Sequence, residues 1–257
     1  MTHISAIGLN TFREAVRDRV LYNLVFFALL MMGAAVLVGQ ISIGIEEIVI
    51  ISLGLSAISF VGLLMAVFIG VGLVSKEMDK RTIYALLAKP VRRWEFLVGK
   101  FAGLVFTLAV NTAAMCAGLF LALLYVKHGL AAADTVVLVA VYFILLKLAI
   151  VVALALLFSC STTSLLSILY CAGFYVAGSF VQQMRTLRAD LLGPFAGVMR
   201  WLSYLLPNFE NFNVIGLAAH GTKVPVALVL QNTLYALLYC AVVLAAAAII
   251  LSRRNLK

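Results

Sequence analysis

TVVLVAVYFILLKLAIVVALALLFSCSTTSLLSILYCAGFYVAGSFVQQM, residues 135–184, carries a single charge, Lys147, in fifty residues. A run this long and apolar cannot be the core strand or buried helix of a soluble domain. It is also too long for one helix across a hydrocarbon core of about 30 Å, which needs roughly 20 residues. The hydroxyl-rich cluster Ser159-Cys160-Ser161-Thr162-Thr163-Ser164 interrupts it and splits it into two expected spans, 135–158 and 164–184.

The rest of the chain follows the same pattern. Uncharged runs at 20–45, 48–75, 101–126 and 224–251 predict four further spans, so the reading is an all-α polytopic membrane protein with six transmembrane helices in one domain, 1–257. Composition agrees: of 257 residues 65% are hydrophobic and 11% charged, whereas soluble domains are nearer half apolar and a quarter charged. That balance excludes a soluble enzyme, a disordered chain and a nucleic-acid-binding module. The net charge of +9 is therefore read through the positive-inside rule. With the N-terminus inside, cytoplasmic segments hold Arg13, Arg17, Arg19, seven basic residues of 76–100, Arg253, Arg254 and Lys257, against five outside: Lys127, Arg185, Arg188, Arg200 and Lys223. Both termini are expected in the cytoplasm.

Residues 1–19 place Ile4, Ile7, Phe12 and Val16 at helical spacing with charges on other faces, the pattern of an amphipathic helix at the membrane surface. Residues 185–223 contain Pro194, Pro207 and several charges around the apolar residues 195–206. They read as an external re-entrant or interfacial segment, with Trp201 and Tyr204 suited to the interface.

Several kinds of chemistry find no support. Cys116, Cys160, Cys171 and Cys240 lie in or beside apolar runs without CxxC spacing, and His3, His128 and His220 are scattered. No HExxH, GxSxG or GxxxxGK[ST] occurs. An intramembrane enzyme would need convergent acids, nucleophiles or metal ligands, which the expected spans do not offer. A channel or ion-coupled carrier usually places acids in the membrane, and none lies in a predicted span. The one intramembrane cation, Lys147, is expected either to face protein or a wet cavity, near Asn111 of the third span, or to snorkel toward an interface. Gly173 and Ala177, four apart in the fifth span, predict close helix packing, either within the chain or at a seam between two copies.

The most distinctive segment is the loop 76–100, KEMDKRTIYALLAKPVRRWEFLVGK. Ile83, Leu86, Leu87, Val91, Trp94 and Leu97 keep an apolar helical rhythm between its charges, and Pro90 interrupts it. A short helix is expected at 82–88, then a turn, then a helix entering the third span. In order the loop presents Glu77, Thr82, Leu86-Leu87, Pro90-Val91, Arg92-Arg93, Trp94-Glu95 and Gly99-Lys100. In this order and layout the chain resembles the type-2 ABC transporter permeases (the ABC-2 family), the membrane subunits of many bacterial exporters; Arg81 departs from the Gly common there. Within the family it looks closest to the permeases that accompany copper-site maturation of nitrous oxide reductase, yet its eight Met show no MxM or MxxM spacing, so no metal substrate is inferred.

The resemblance implies a permease without a nucleotide site of its own, in the bacterial cytoplasmic membrane. It implies two copies of a separate ATPase subunit that hold ATP and magnesium, and a second permease copy or paralogue beside this one among membrane lipids. The docking residues would be Glu77, Arg81, Thr82, Leu86, Leu87, Pro90, Arg92, Arg93 and Glu95.

Overall fold

A computed structural model describes residues 3–16, 19–41, 44–79, 93–127, 135–186 and 204–253. They form helices α1 (His3–Val16), α2 (Arg19–Ile41), α3 (Glu46–Asp79), α4 (Arg93–Lys127), α5 (Thr135–Ser161), α6 (Ser164–Ser179), α7 (Val181–Thr186), α8 (Ile215–Ala219) and α9 (Val226–Arg253). A 3-10 turn at Glu210–Phe212 precedes α8, and no strand occurs among the described residues.

Helix α5 is apolar on every side, and a helix of that kind has to be surrounded. Seventeen of its 27 residues are buried, and α3, α4, α6 and α9 pack around it. Lipid tails are as apolar as these side chains, so close contact rather than water exclusion holds such helices together. Small residues on α3 supply it: a Cβ at Gly62 would lie 2.6 Å from Leu148 Cδ1, and one at Gly70 would lie 3.1 Å from Ala155 Cβ.

Among the described residues, four helices are long and apolar enough to cross a membrane: Glu46–Leu73, Trp94–Val126, Thr135–Ser161 and Val226–Ser252. The other two predicted spans fall on α2, a helix of 23 residues, and on α6 with α7. The hydroxyl cluster does divide the long apolar run. Helix α5 continues to Ser161, past the expected end at 158, because hydroxyls cap its last carbonyls: Ser161 Oγ donates to Phe158 O (3.1 Å) and Thr162 Oγ1 to the same oxygen (3.0 Å). The following span does not reach 184 unbroken. Helix α6 stops at Ser179 after 16 residues, beside the point where the Gly178 carbonyl accepts the Phe209 N–H (3.3 Å). Gly178 permits the approach, since a Cβ there would sit 2.5 Å from Pro207 O.

Of the segment expected to be re-entrant or interfacial, residues 187–203, with Pro194, Arg200 and Trp201, lie outside the described residues. Its second half folds back onto the helices. Phe212 is buried with its ring 6.4 Å from that of Phe143, about 12 Å along α5 from its first residue at 1.5 Å per residue. Asn208 N–H donates to Tyr235 Oη on α9 (3.1 Å), and Tyr239 Oη donates to Leu205 O (3.1 Å). Helix α8 then packs against α3 and α5.

Helix α1 packs along the first turns of α4. Backbones nearly touch there: a Cβ at Gly103 would lie 2.5 Å from Gly8 O and 2.7 Å from Thr11 Cβ, and one at Gly99 would lie 2.9 Å from Ile7 Cβ. Phe12 meets Phe106 edge to face at 4.8 Å. The face of α1 that the sequence assigned to lipid is thus partly spent on α4.

Gly103→Val places carbon where the Gly8 carbonyl already sits. Overpacking of this kind costs about 1–3 kcal/mol, so the purified variant should melt at lower temperature and expose α1 to protease. At Gly72 a Cβ would meet nothing within 4 Å, and Gly72→Ala should hold or raise the melting temperature, Ala being about 1 kcal/mol the better helix former. Equal effects of the two substitutions would contradict the tight α1–α4 contact.

Candidate functional site

Two regions hold the buried charged side chains among the described residues. The first is the end of the bundle carrying the charged loop. Helix α3 runs to Asp79 and α4 begins at Arg93, so the loop has helical stems on both sides. Glu77 lies in the last turns of α3, Arg93 opens α4, and Glu95, in the first turn of α4, is half-buried. Arg81, Thr82, Leu86, Leu87, Pro90 and Arg92 lie outside the described residues. The second stem is firmly seated. Phe96 and Leu97 of α4 form an apolar cluster with Cys160 at the end of α5 and with Ala247 and Leu251 near the end of α9. One turn further, Lys100 is 2% exposed, its Nζ 3.7 Å from Glu14 Oε2 of α1 and 5.9 Å from the centre of the Phe96 ring. Burial of a charge demands a partner of opposite sign, so this pair ties α1 to the root of α4.

The second region is a cavity of about 560 Å³ between α3, α5, α6 and the returning segment 209–215. Its walls are mostly apolar, with Phe60, Leu64 and Val67 from α3 and Ile168 from α6. Lys147 enters from α5, 8% exposed, and donates to Ser59 Oγ of α3 at 2.5 Å; its Nζ stands 6.0 Å from the centre of the Tyr175 ring. An aromatic face near an ammonium adds a further attraction. Glu210 of the 3-10 turn lines the same cavity, close enough for its charge to act on Lys147. Its Oε1 accepts from Asn213 Nδ2 at 3.2 Å, which fixes where the carboxylate stands.

Of the two residues that the sequence assigned to a cavity, the structure places Lys147 in it and Asn111 elsewhere. Asn111 is buried in α4 and donates from Nδ2 to Thr107 O of its own helix at 2.8 Å. Amide side chains in apolar helices commonly satisfy themselves in this local way. Glu210 and Ser59 went unseen in the sequence. Glu210 looked like one more charge in a polar connection, and Ser59 like a small residue of a span. Only the fold-back at Pro207 and the α3–α5 packing bring them to Lys147. Gly173 lies one residue beyond the cavity-lining Ala172, exposed, with nothing within 4 Å of where a Cβ would stand; Ala177 is half-buried.

The described residues thus form a helical bundle with a charged segment between two long helices and a mostly apolar cavity that Lys147 and Glu210 line. The family model described as ABC-2 family transporter protein matches residues 6–256. The chain belongs to the ABC-2 family. No curated protein matches it. Membership makes this a multi-pass membrane subunit of an ABC transporter, a permease whose task is to provide a path rather than to perform chemistry.

The Lys147–Ser59 bond can be weighed by its removal. Ser59→Ala leaves the ammonium short of an acceptor, and a hydrogen bond to a charged group is worth about 1.5–3 kcal/mol. Lys147→Met removes the charge with its need. Thermal unfolding of the two single variants and the double should show strong non-additivity, the double variant being more stable than Ser59→Ala alone. Simple addition of the single effects would mean that the two side chains do not depend on one another.

Proposed function

We propose that this permease is the membrane half of an ATP-driven exporter in the bacterial cytoplasmic membrane, working with two copies of a separate ATPase subunit and a second permease copy. The observation that carries the reading is the family match across nearly the whole chain, joined to a segment, 76–100, that holds 10 of the chain's 29 charges where one long helix ends and the next begins. In this reading there are six spans, with α2 and the α6–α7 pair as the first and fifth, and both termini face the cytoplasm. Residues 185–223 form the external re-entrant or interfacial element. The subgroup proposed is that of the permeases of nitrous oxide reductase maturation, with the cargo left to the cavity to define.

Thr82–Ala88 forms a short helix that enters a cleft on the ATPase. Leu86 and Leu87 bury there, each worth about 1.5–3 kcal/mol. Arg81, Arg92, Arg93, Glu77 and Glu95 rim the contact and set its orientation and salt sensitivity. Pro90 fixes the angle of the helix. ATP, bound with magnesium by the partner, closes the ATPase dimer. The motion reaches the bundle through α3 on one side and through α4, with α1 and Lys100–Glu14 attached, on the other. Gly173 and Ala177 form a seam with the second permease, a use that suits the open space beside Gly173.

Replacing Leu86 and Leu87 together by Ser keeps every charge. The variant should insert and orient normally, lose the ATPase on co-purification and lose ATP-driven transport. Retained binding and transport would remove the docking assignment. In a background without native cysteines, Gly173→Cys or Ala177→Cys should yield a crosslinked permease dimer in membranes; monomer alone at both positions would place the seam elsewhere.

A further inference from the structure

The cavity beside Lys147 contains two opposite charges that do not neutralise one another. Lys147 can donate three hydrogen bonds, and among the described residues Ser59 Oγ accepts one of them. Glu210 is exposed at the cavity wall and held by Asn213. Among the described residues no ion pair closes between the two, although both line the one cavity. A site of this kind discriminates by sign. A simple anion on Lys147 is opposed by Glu210, and a simple cation on Glu210 is opposed by Lys147. A ligand with an anionic and a cationic group satisfies both.

The walls add a second requirement. Phe60, Phe68 and Val176 line the cavity and are each about half exposed, at 56%, 48% and 54%. The apolar lining therefore continues from the buried Lys147 out to the surface of the chain. Volumes of about 300–1,000 Å³ suit a small ligand, and 560 Å³ suits a headgroup with the first part of a chain, the rest lying along Phe60 and Phe68.

We infer that this cavity is the binding site for a zwitterionic lipid-like amphiphile, with its phosphate or carboxylate on Lys147, its ammonium on Glu210 and its tail along the aromatic wall of α3. As a statement about cargo, this rests on the permease reading above; as a statement about binding, it stands without an ATPase.

The test uses the purified full-length chain in maltoside micelles with no ATPase present, so that a failure of coupling to ATP leaves its result untouched. The probe is a short-chain fluorescent phosphatidylethanolamine, compared with phosphatidylglycerol of the same chain and label. The ammonium-bearing lipid should bind about fivefold tighter, the scale of one partly exposed charge pair. Glu210→Gln, at an exposed position that does not hold the core, should erase that preference by weakening the first lipid and not the second. Lys147→Met should weaken both. Equal binding of the two lipids to the unmodified chain, or an unchanged preference in Glu210→Gln, overturns the inference. Tail-free O-phosphoethanolamine should compete poorly; if it displaces the probe as well as the intact lipid does, the site takes a small soluble zwitterion and the amphiphile assignment fails.

Discussion

One ammonium group sets the constraint around which the membrane bundle is arranged. Helix α5 is apolar on all sides and lies at the centre of the packing, yet carries Lys147 in its middle. A cation at such a position costs about 2.5–3.5 kcal/mol on insertion scales, and the surrounding helices have to offset that. Helix α3 supplies the Ser59 hydroxyl, α6 supplies the face of Tyr175, and the segment after Pro207 turns back to bring Glu210 to the same cavity. The break in α6 belongs to the same arrangement. Gly178 gives its carbonyl to Phe209, which seats the returning chain one residue before Glu210.

Toward the loop-bearing end of the long helices the backbones come closest together. The α1–α4 contact is nearly backbone to backbone at Gly8, Gly99 and Gly103, and it is reinforced by Lys100 against Glu14. Phe96 and Leu97 clamp the same part of α4 to the ends of α5 and α9. Arg93 thus opens a helix whose first turns are packed against α1, α5 and α9. Helix α5 ends in this packing and carries Lys147 into the cavity.

Much of this was legible in the sequence because the membrane restricts the choices so severely. Long uncharged runs can only be helices, the hydroxyl cluster at 159–164 marks a break because its side chains can cap freed carbonyls, and a single intramembrane lysine announces a polar site. What stayed hidden depended on partners distant in sequence. Asn111 drew attention as a polar residue in a span, but it satisfies itself on Thr107 and never reaches Lys147. Gly99 was read as part of a loop pattern, whereas it is also the surface on which Ile7 rests. The contact at the end of α6 could not be read locally, since the group that takes the Gly178 carbonyl, Phe209, lies thirty residues beyond Ser179. Nor does hydropathy distinguish a helix face turned to lipid from one turned to a neighbour, so the contact of α1 with α4 is not legible in its pattern.

If the loop end drives the cavity end, the space around Lys147 must change when the ATPase closes. Ser179 lines that cavity, and the four native cysteines are buried, so Ser179→Cys in a cysteine-free background reports on it directly. The measurement is its rate of reaction with a membrane-impermeant thiol reagent, in vesicles holding permease and ATPase, without nucleotide and with ATP trapped by vanadate. A cavity driven by the partner predicts fast labelling without nucleotide and a marked slowing in the trapped state. The same rate in both states would contradict it.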